Sequence, residues 1–133
     1  MSRSLIQTAN QSTQAVADNS IITLGAVQRR FGCNLRLDGN AVSCVGEGYY
    51  TIDAGVSITP TAAGPVTVAL YDNGVQIPGA IAYTTGAANS PIAVNLPPCT
   101  IRQRCCSDAD NLTLVLVEGA GDVTNVAVRV EKV

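Results

Sequence analysis

The sequence predicts an all-β domain, a sandwich or jelly roll of about eight antiparallel strands. Three observations predict it. Val, Ile and Thr make up 37 of the 133 residues, and β-branched side chains favour the pleated strand over the helix. Apolar residues recur at every second position in one segment after another, the period of a strand with one buried face. Turn dipeptides separate these segments, and no stretch carries a helical period.

Residues 1–19 are dominated by Ser, Thr, Gln and Asn. They read as a polar N-terminal arm or a weak edge strand, with the jelly-roll domain spanning 20–133. Ile22 and Leu24 alternate with Thr23 in the first core strand. The segment from Cys33 to Cys44 contains Asp38-Gly39, a strong signal for a two-residue hairpin loop. With those two residues as the loop, Leu35 faces Val42 and Cys33 faces Cys44. Tyr50, Ile52, Ala54, Val56 and Ile58 then line one face of a long strand, with Thr51, Asp53, Ser57 and Thr59 on the other. That is the alternation of a sheet with one wet face.

Val66, Val68 and Leu70 lead to a second hairpin signal, Asn73-Gly74, which sets Leu70 opposite Ile77 and Val66 opposite Ile81. Pro78 in the returning strand implies an edge or a bulge, since proline cannot donate to the ladder. Ile92, Val94 and Leu96 form a short strand closed by Pro97-Pro98. Leu112, Leu114 and Leu116 follow, then a Gly-rich turn at 118–122 and a last strand with Val126, Val128 and Val130 inward. The strand at 111–117 is also apolar on its outer side, through Val115 and Val117, and Ala127 continues that surface on the strand after it. An apolar outer face needs a cover. Either the chain's own loops supply it, or a second subunit does.

Composition excludes several function classes. There is no His, so a Ser-His-Asp triad, a Cys-His nucleophile and a His-ligated metal cannot be built within one chain. Eight basic residues against ten acidic ones give a formal charge of −2, the wrong electrostatics for nucleic acid. No apolar run approaches the roughly 18 residues of a membrane span. Residues 1–20 contain no apolar stretch of about 7–15 residues of the kind a secretory signal carries. Asp53 has no second carboxylate placed beside it by sequence, so paired-carboxylate catalysis has no visible constellation. Asp108, Asp110 and Asn111 lack the glycine and glutamate spacing of a calcium loop and read as a solvated turn. The expectation is a protein without catalytic residues, metal or cofactor.

Five cysteines leave at least one thiol outside any pairing within the chain. Cys33 and Cys44, if directly opposed, have Cα atoms roughly 4.5–5.5 Å apart, a separation a disulfide accepts. The alternative is two reduced core thiols acting as small apolar groups. Cys99, Cys105 and Cys106 form a second cluster, ranked first as a structural or intermolecular disulfide, then as inert thiols, then as a metal site with no recognised zinc spacing. Arg29-Arg30-Phe31-Gly32 is a basic pair beside the only Phe, read as a loop whose Arg stems cover the ring.

Gly48-Tyr49-Tyr50-Thr51-Ile52 followed by an alternating strand resembles the Gly-x-Tyr-x-apolar strand of the tumour-necrosis-factor and C1q jelly rolls. Residues 16–25, the Leu112-Thr-Leu-Val-Leu segment and the Asn125-Val-Ala-Val-Arg-Val segment stand where that family's first, penultimate and last strands would. The likeness spans about residues 12–133 as an order of strands. Within the class the chain resembles bacteriophage head-fibre and decoration proteins, and the C-terminal domains of spore-surface collagen-like proteins. It departs from them in its few aromatics, in lacking a Gly-x-y stretch and in its cysteine cluster.

The resemblance implies a homotrimer with a non-enzymatic structural role, decorating a capsid or forming a head fibre in a virion assembled in the bacterial cytoplasm. Val115, Val117 and Ala127 are then the expected trimer interface, and the arm at 1–19 the expected anchor to the particle. Removing residues 1–15 should, on this view, leave a folded trimer that no longer joins its particle. The alternatives are a spore-surface (exosporium-like) protein and a carbohydrate- or receptor-binding module. In the last case Tyr49, Tyr71 or Tyr83 would stack on a host-surface glycan.

Overall fold

A computed structural model describes residues 4–103 and 110–133. Among them the chain forms thirteen strands and no helix. In chain order these are β1 (Leu5–Asn10), β2 (Gln14–Val16), β3 (Ser20–Ile22), β4 (Ala26–Phe31), β5 (Leu35–Asp38), β6 (Ala41–Cys44), β7 (Gly48–Pro60), β8 (Gly64–Asp72), β9 (Val75–Gly86), β10 (Ile92–Asn95), β11 (Cys99–Gln103), β12 (Asp110–Glu118) and β13 (Gly121–Lys132). They make two antiparallel sheets. One has seven strands in the order β10-β7-β13-β1-β4, with β11 also on β7 and β2 also on β13. The other has six in the order β5-β6-β12-β8-β9, with β3 also on β12.

Alternation decides which side chains fill the space between the sheets. In β7, Tyr50, Ile52, Val56 and Ile58 are at most 3% exposed, and the register sets Val56 and Ile52 opposite Val126 and Val130 of β13. The six-stranded sheet answers with Val66, Val68 and Leu70 from β8 and Leu112, Leu114 and Leu116 from β12. These residues, with Ile6, Ile22, Leu24 and Leu35, belong to one core. Tyr50, the largest fully buried side chain, takes its hydroxyl to the end of the sandwich, where it donates to the Gly46 carbonyl at 2.8 Å. A buried phenol needs such a partner.

Two hairpins show how turn chemistry sets register. Asn73 and Gly74 have φ of +51° and +83°, the paired positive angles of a type I′ loop, and Asp72 pairs with Val75 as the sequence implies. Further on, the register shifts between Ala69 and Tyr71, so Val66 meets Thr84 where the sequence reading had Ile81. That shift falls opposite Pro78, and β9 is an edge strand. In the first hairpin the loop is Gly39-Asn40, not Asp38-Gly39, because Asp38 pairs with Ala41. Only Gly39 has positive φ there, +62°, the pattern of a II′ loop with Gly at its first central position. The one-residue move of the loop keeps each side chain on its expected face but shifts the pairing by two. Cys44 therefore lies opposite Leu35, and Cys33 falls outside the ladder.

Two larger expectations are corrected. The residues read as a polar arm supply β1, an interior strand between β13 and β4, with Ser4, Ile6 and Thr8 all 0% exposed. The strands β12 and β13 are not a paired hairpin. After Gly119 the chain crosses between sheets: β12 pairs with β6, β8 and β3, while β13 pairs with β7, β1 and β2.

Candidate functional site

That crossing separates the residues expected to form one interface. Val115 lies on the outer side of the six-stranded sheet, opposite Ile21 and Ala69, and Ala127 lies on the outer side of the other sheet. Val115 is only 8% exposed and Val117 is half-buried, so the single chain already covers most of the apolar surface that seemed to require a partner. Ala127 is exposed.

The surroundings of Ala127 follow from the ladder. Odd-numbered residues of β7, those of β13 from Asn125 onward, past the register shift after Val123, and Leu5, Gln7 and Ala9 of β1 face away from the core. Cross-strand pairing aligns them in rows. Ala26, Ala9, Ala127, Gly55 and Asn95 form one continuous row across five strands. Arg29, Gln7, Arg129 and Asp53 form the next. Phe31, Leu5, Glu131 and Thr51 form a third. The first row is built of small side chains, and the surface dips there into a depression of about 410 Å³ lined by Gln7, Asp53, Gly55, Asn95, Ala127 and Arg129. Gly55 makes room for its neighbour: a Cβ at this position would lie 2.5 Å from Asn95 Oδ1.

Charge on this face is balanced and local. Arg129 reaches Asp53 Oδ2 at 3.5 Å and Glu131 Oε2 at 3.3 Å. All three side chains are about half exposed, so each contact contributes little to stability. At the rim, Phe31 is 52% exposed beside Leu5. Every residue of β4 is exposed, including Arg29 and Arg30, so this strand adds nothing to the core. The sequence reading of a loop folded over Phe31 is replaced by an edge strand that presents the ring. In chemical terms the face offers close backbone approach, amide hydrogen bonds and, at the β4 rim, Phe31 as an aromatic anchor.

The remaining candidates are scattered. Tyr49 is 54% exposed on the seven-stranded sheet, with the Arg102 guanidinium 5.7 Å from its ring centroid. Tyr83 is 75% exposed and Tyr71 half-buried, both on the opposite sheet, so the three rings do not converge. Cys33 is exposed, Cys44 buried and Cys99 half-buried, all as free thiols. Burial, then the charges of Asp110 and Asp72, push the Cys44 thiol up to about 12. Burial, then the charge of Asp53, raises Cys99. Cys105 and Cys106 lie outside the described residues. Among the described residues no group of three or more His, Cys, Asp or Glu is placed to hold a metal ion.

Sequence reasoning missed Gln7 and Ala9 because they sat in the supposed arm. The outward sets of β7 and β13, Asp53 with Ser57 and Asn125 with Arg129, were readable from alternation alone. Their convergence depends on which strands pair.

No protein-family model matches the sequence, and no curated protein sequence matches it. Solved structures do. Murine APRIL superposes with a TM-score of 0.75 at 12% identity, covering 98% of this chain and 99% of that one. The globular domain of zebrafish complement 1qA superposes at 0.68 and 11% identity, covering 96% and 94%. The PRD1 vertex protein P5 superposes at 0.62 and 10% identity, covering 97% and 95%. With two antiparallel sheets in this order and these likenesses over nearly its full length, the chain has the jelly-roll fold of the tumour-necrosis-factor and C1q type.

Proposed function

We propose that this protein is a non-enzymatic structural module that assembles as a homotrimer through the outer face of its seven-stranded sheet and decorates a bacteriophage capsid or forms a head fibre. The observation that carries the reading is the row of small residues centred on Ala127. Side chains this short let a second copy come close to the backbone of β13 and β7, and the flanking Gln7, Asn95 and Asn125 offer it hydrogen bonds. Phe31 at the rim is the chain's one exposed Phe, the type of aromatic anchor that dominates interface energetics. Threefold symmetry is what the fold resemblance implies, and a closed ring of head-to-tail contacts suits a face and an edge that differ.

The virion role rests on the likeness to a vertex protein. Of the interface expected from sequence, Ala127 remains. Anchorage through residues 1–15 is dropped, because β1 is part of the sheet. The test is to introduce Ala127→Arg and follow subunit mass and particle content together. The reading expects a folded single chain that is lost from purified virions. A variant that keeps the wild-type mass and stays in the particle contradicts it.

A further inference from the structure

A pair of carboxyl groups stands at one end of the sandwich, away from the proposed subunit face. Asp72 ends β8 and Asp110 opens β12. Even-numbered residues of both strands face the core, as Val68, Leu70, Leu112 and Leu114 show, so both carboxyls point between the sheets. Asp72 is opposite Leu112 and Asp110 opposite Cys44, which makes the two acids diagonal neighbours on one face. Diagonal pairs of this kind are within side-chain reach. Asp72 Oδ1 is buried without a hydrogen-bond partner.

Among the described residues, the groups around the pair supply no compensating cation. From the turn, Asn73 Nδ2 donates to Asp110 Oδ1 across a long 3.5 Å. From β11, the Gln103 amide oxygen accepts the Asp110 N–H at 3.1 Å. From β6 comes the buried Cys44 thiol, and from β7 the Tyr50 phenol, whose proton is directed to the Gly46 carbonyl. From β9 come the neutral Gln76 and Ile77. Arg102 of β11 borders the same hollow as Asp72, but its guanidinium stacks over Tyr49, and among the described residues it forms no ion pair with Asp72. Two ionised carboxylates here would repel in partly desolvated surroundings, whereas one proton turns an orphaned acceptor into a donor.

We propose that Asp72 and Asp110 share a single proton, forming a clasp between β8 and β12 that holds this end of the sandwich at mildly acidic pH and loosens toward neutrality. Burial, the hydrogen bond with Asp110 and then its charge push Asp72 up to about 6, consistent with the geometry. The sign follows from that direction. A raised carboxyl binds its proton more tightly in the folded chain than in the unfolded one. The stabilisation is complete below the unfolded carboxyl range, near ~4, and is lost as the pH rises through about 6.

Thermal unfolding of the full chain, beside Asp72→Asn and Asp110→Asn, tests this. Asn keeps the shape and can donate, but it does not ionise. The wild-type Tm should fall by on the order of 5 °C between about pH 4.5 and about pH 7, with Asp72→Asn level over the same interval and above wild type at neutrality. Parallel slopes for wild type and Asp72→Asn would overturn the clasp. Carbon-13 carboxyl titration of the wild-type chain gives a readout that needs no variant to fold. One of the two carboxyls should titrate near 6; two ordinary titrations at about 4 would equally overturn it.

Discussion

Single residues in this chain are held to conformations that their types make possible. Gly25 has a φ of +87°, and a Cβ there would lie 2.4 Å from the Ala9 carbonyl oxygen. Gly39 has a φ of +62° but nothing within 4 Å. Gly39→Ala therefore bears only the left-handed penalty, about 1–2 kcal/mol, while Gly25→Ala adds a backbone clash and should cost about 3 kcal/mol or more. Urea unfolding of the two variants measures the difference, and equal costs would contradict the close approach of β1 to the chain before β4. The cysteines differ in the same site-specific way. Thiolates are the reactive form, and Cys44 is both buried and pushed up to about 12, whereas Cys33 is exposed. Iodoacetamide at about pH 8 should label Cys33 in the native protein and reach Cys44 only after unfolding, as peptide mass mapping would show. The hairpin that separates them was legible as a hairpin. Its register was not, because Asp38-Gly39 and Gly39-Asn40 are both acceptable two-residue loops, and the II′ geometry that Gly39 takes decides between them.

At the scale of elements, legibility follows burial. The strands β7 and β13 were readable because one face of each is packed and the other is wetter, whereas β8 and β12, buried on both faces at their centres, were readable because large Val and Leu side chains alternate with Thr67, Ala69 and Thr113. The strand β1 was not, because its inward positions are Ile6 and Thr8, one apolar and one polar, preceded by a buried Ser4. The strand β4 could not be, because both of its faces are exposed and nothing forces alternation. Placing β1 inside the sheet reverses an expectation about truncation. Removing residues 1–15 deletes the strand between β13 and β4, uncovers Val128 and Val130 and frees the edge of β13. The shortened chain should lose its cooperative unfolding transition and bind hydrophobic dyes. Far-ultraviolet circular dichroism through a thermal ramp would show it, and a stable, cooperatively folding truncation would contradict the topology.

The candidate interaction face exists only at the scale of the whole molecule. Its first row draws one residue from each of five strands, from Ala26 near one end of the chain to Ala127 near the other. Local pattern cannot report such a row, because each strand shows only that it has a polar side. The greasy outer side of β12 gave a stronger signal, but Val115 is largely covered by cross-strand neighbours within its own sheet. The proposed assembly instead buries small and polar groups around one aromatic. Phe31→Ala should then weaken subunit association without unfolding the chain, since the ring lies outside the core. Its removal forfeits about 1.5–3 kcal/mol of apolar burial, roughly a 10- to 150-fold rise in the dissociation constant by sedimentation.

The most direct measurement is the solution mass of the wild-type protein by multi-angle light scattering. The account predicts one species at three times the 13.7 kDa chain mass, reduced to the single-chain mass by Ala127→Arg. A wild-type protein that stays at 13.7 kDa across the concentration range of the experiment would contradict it.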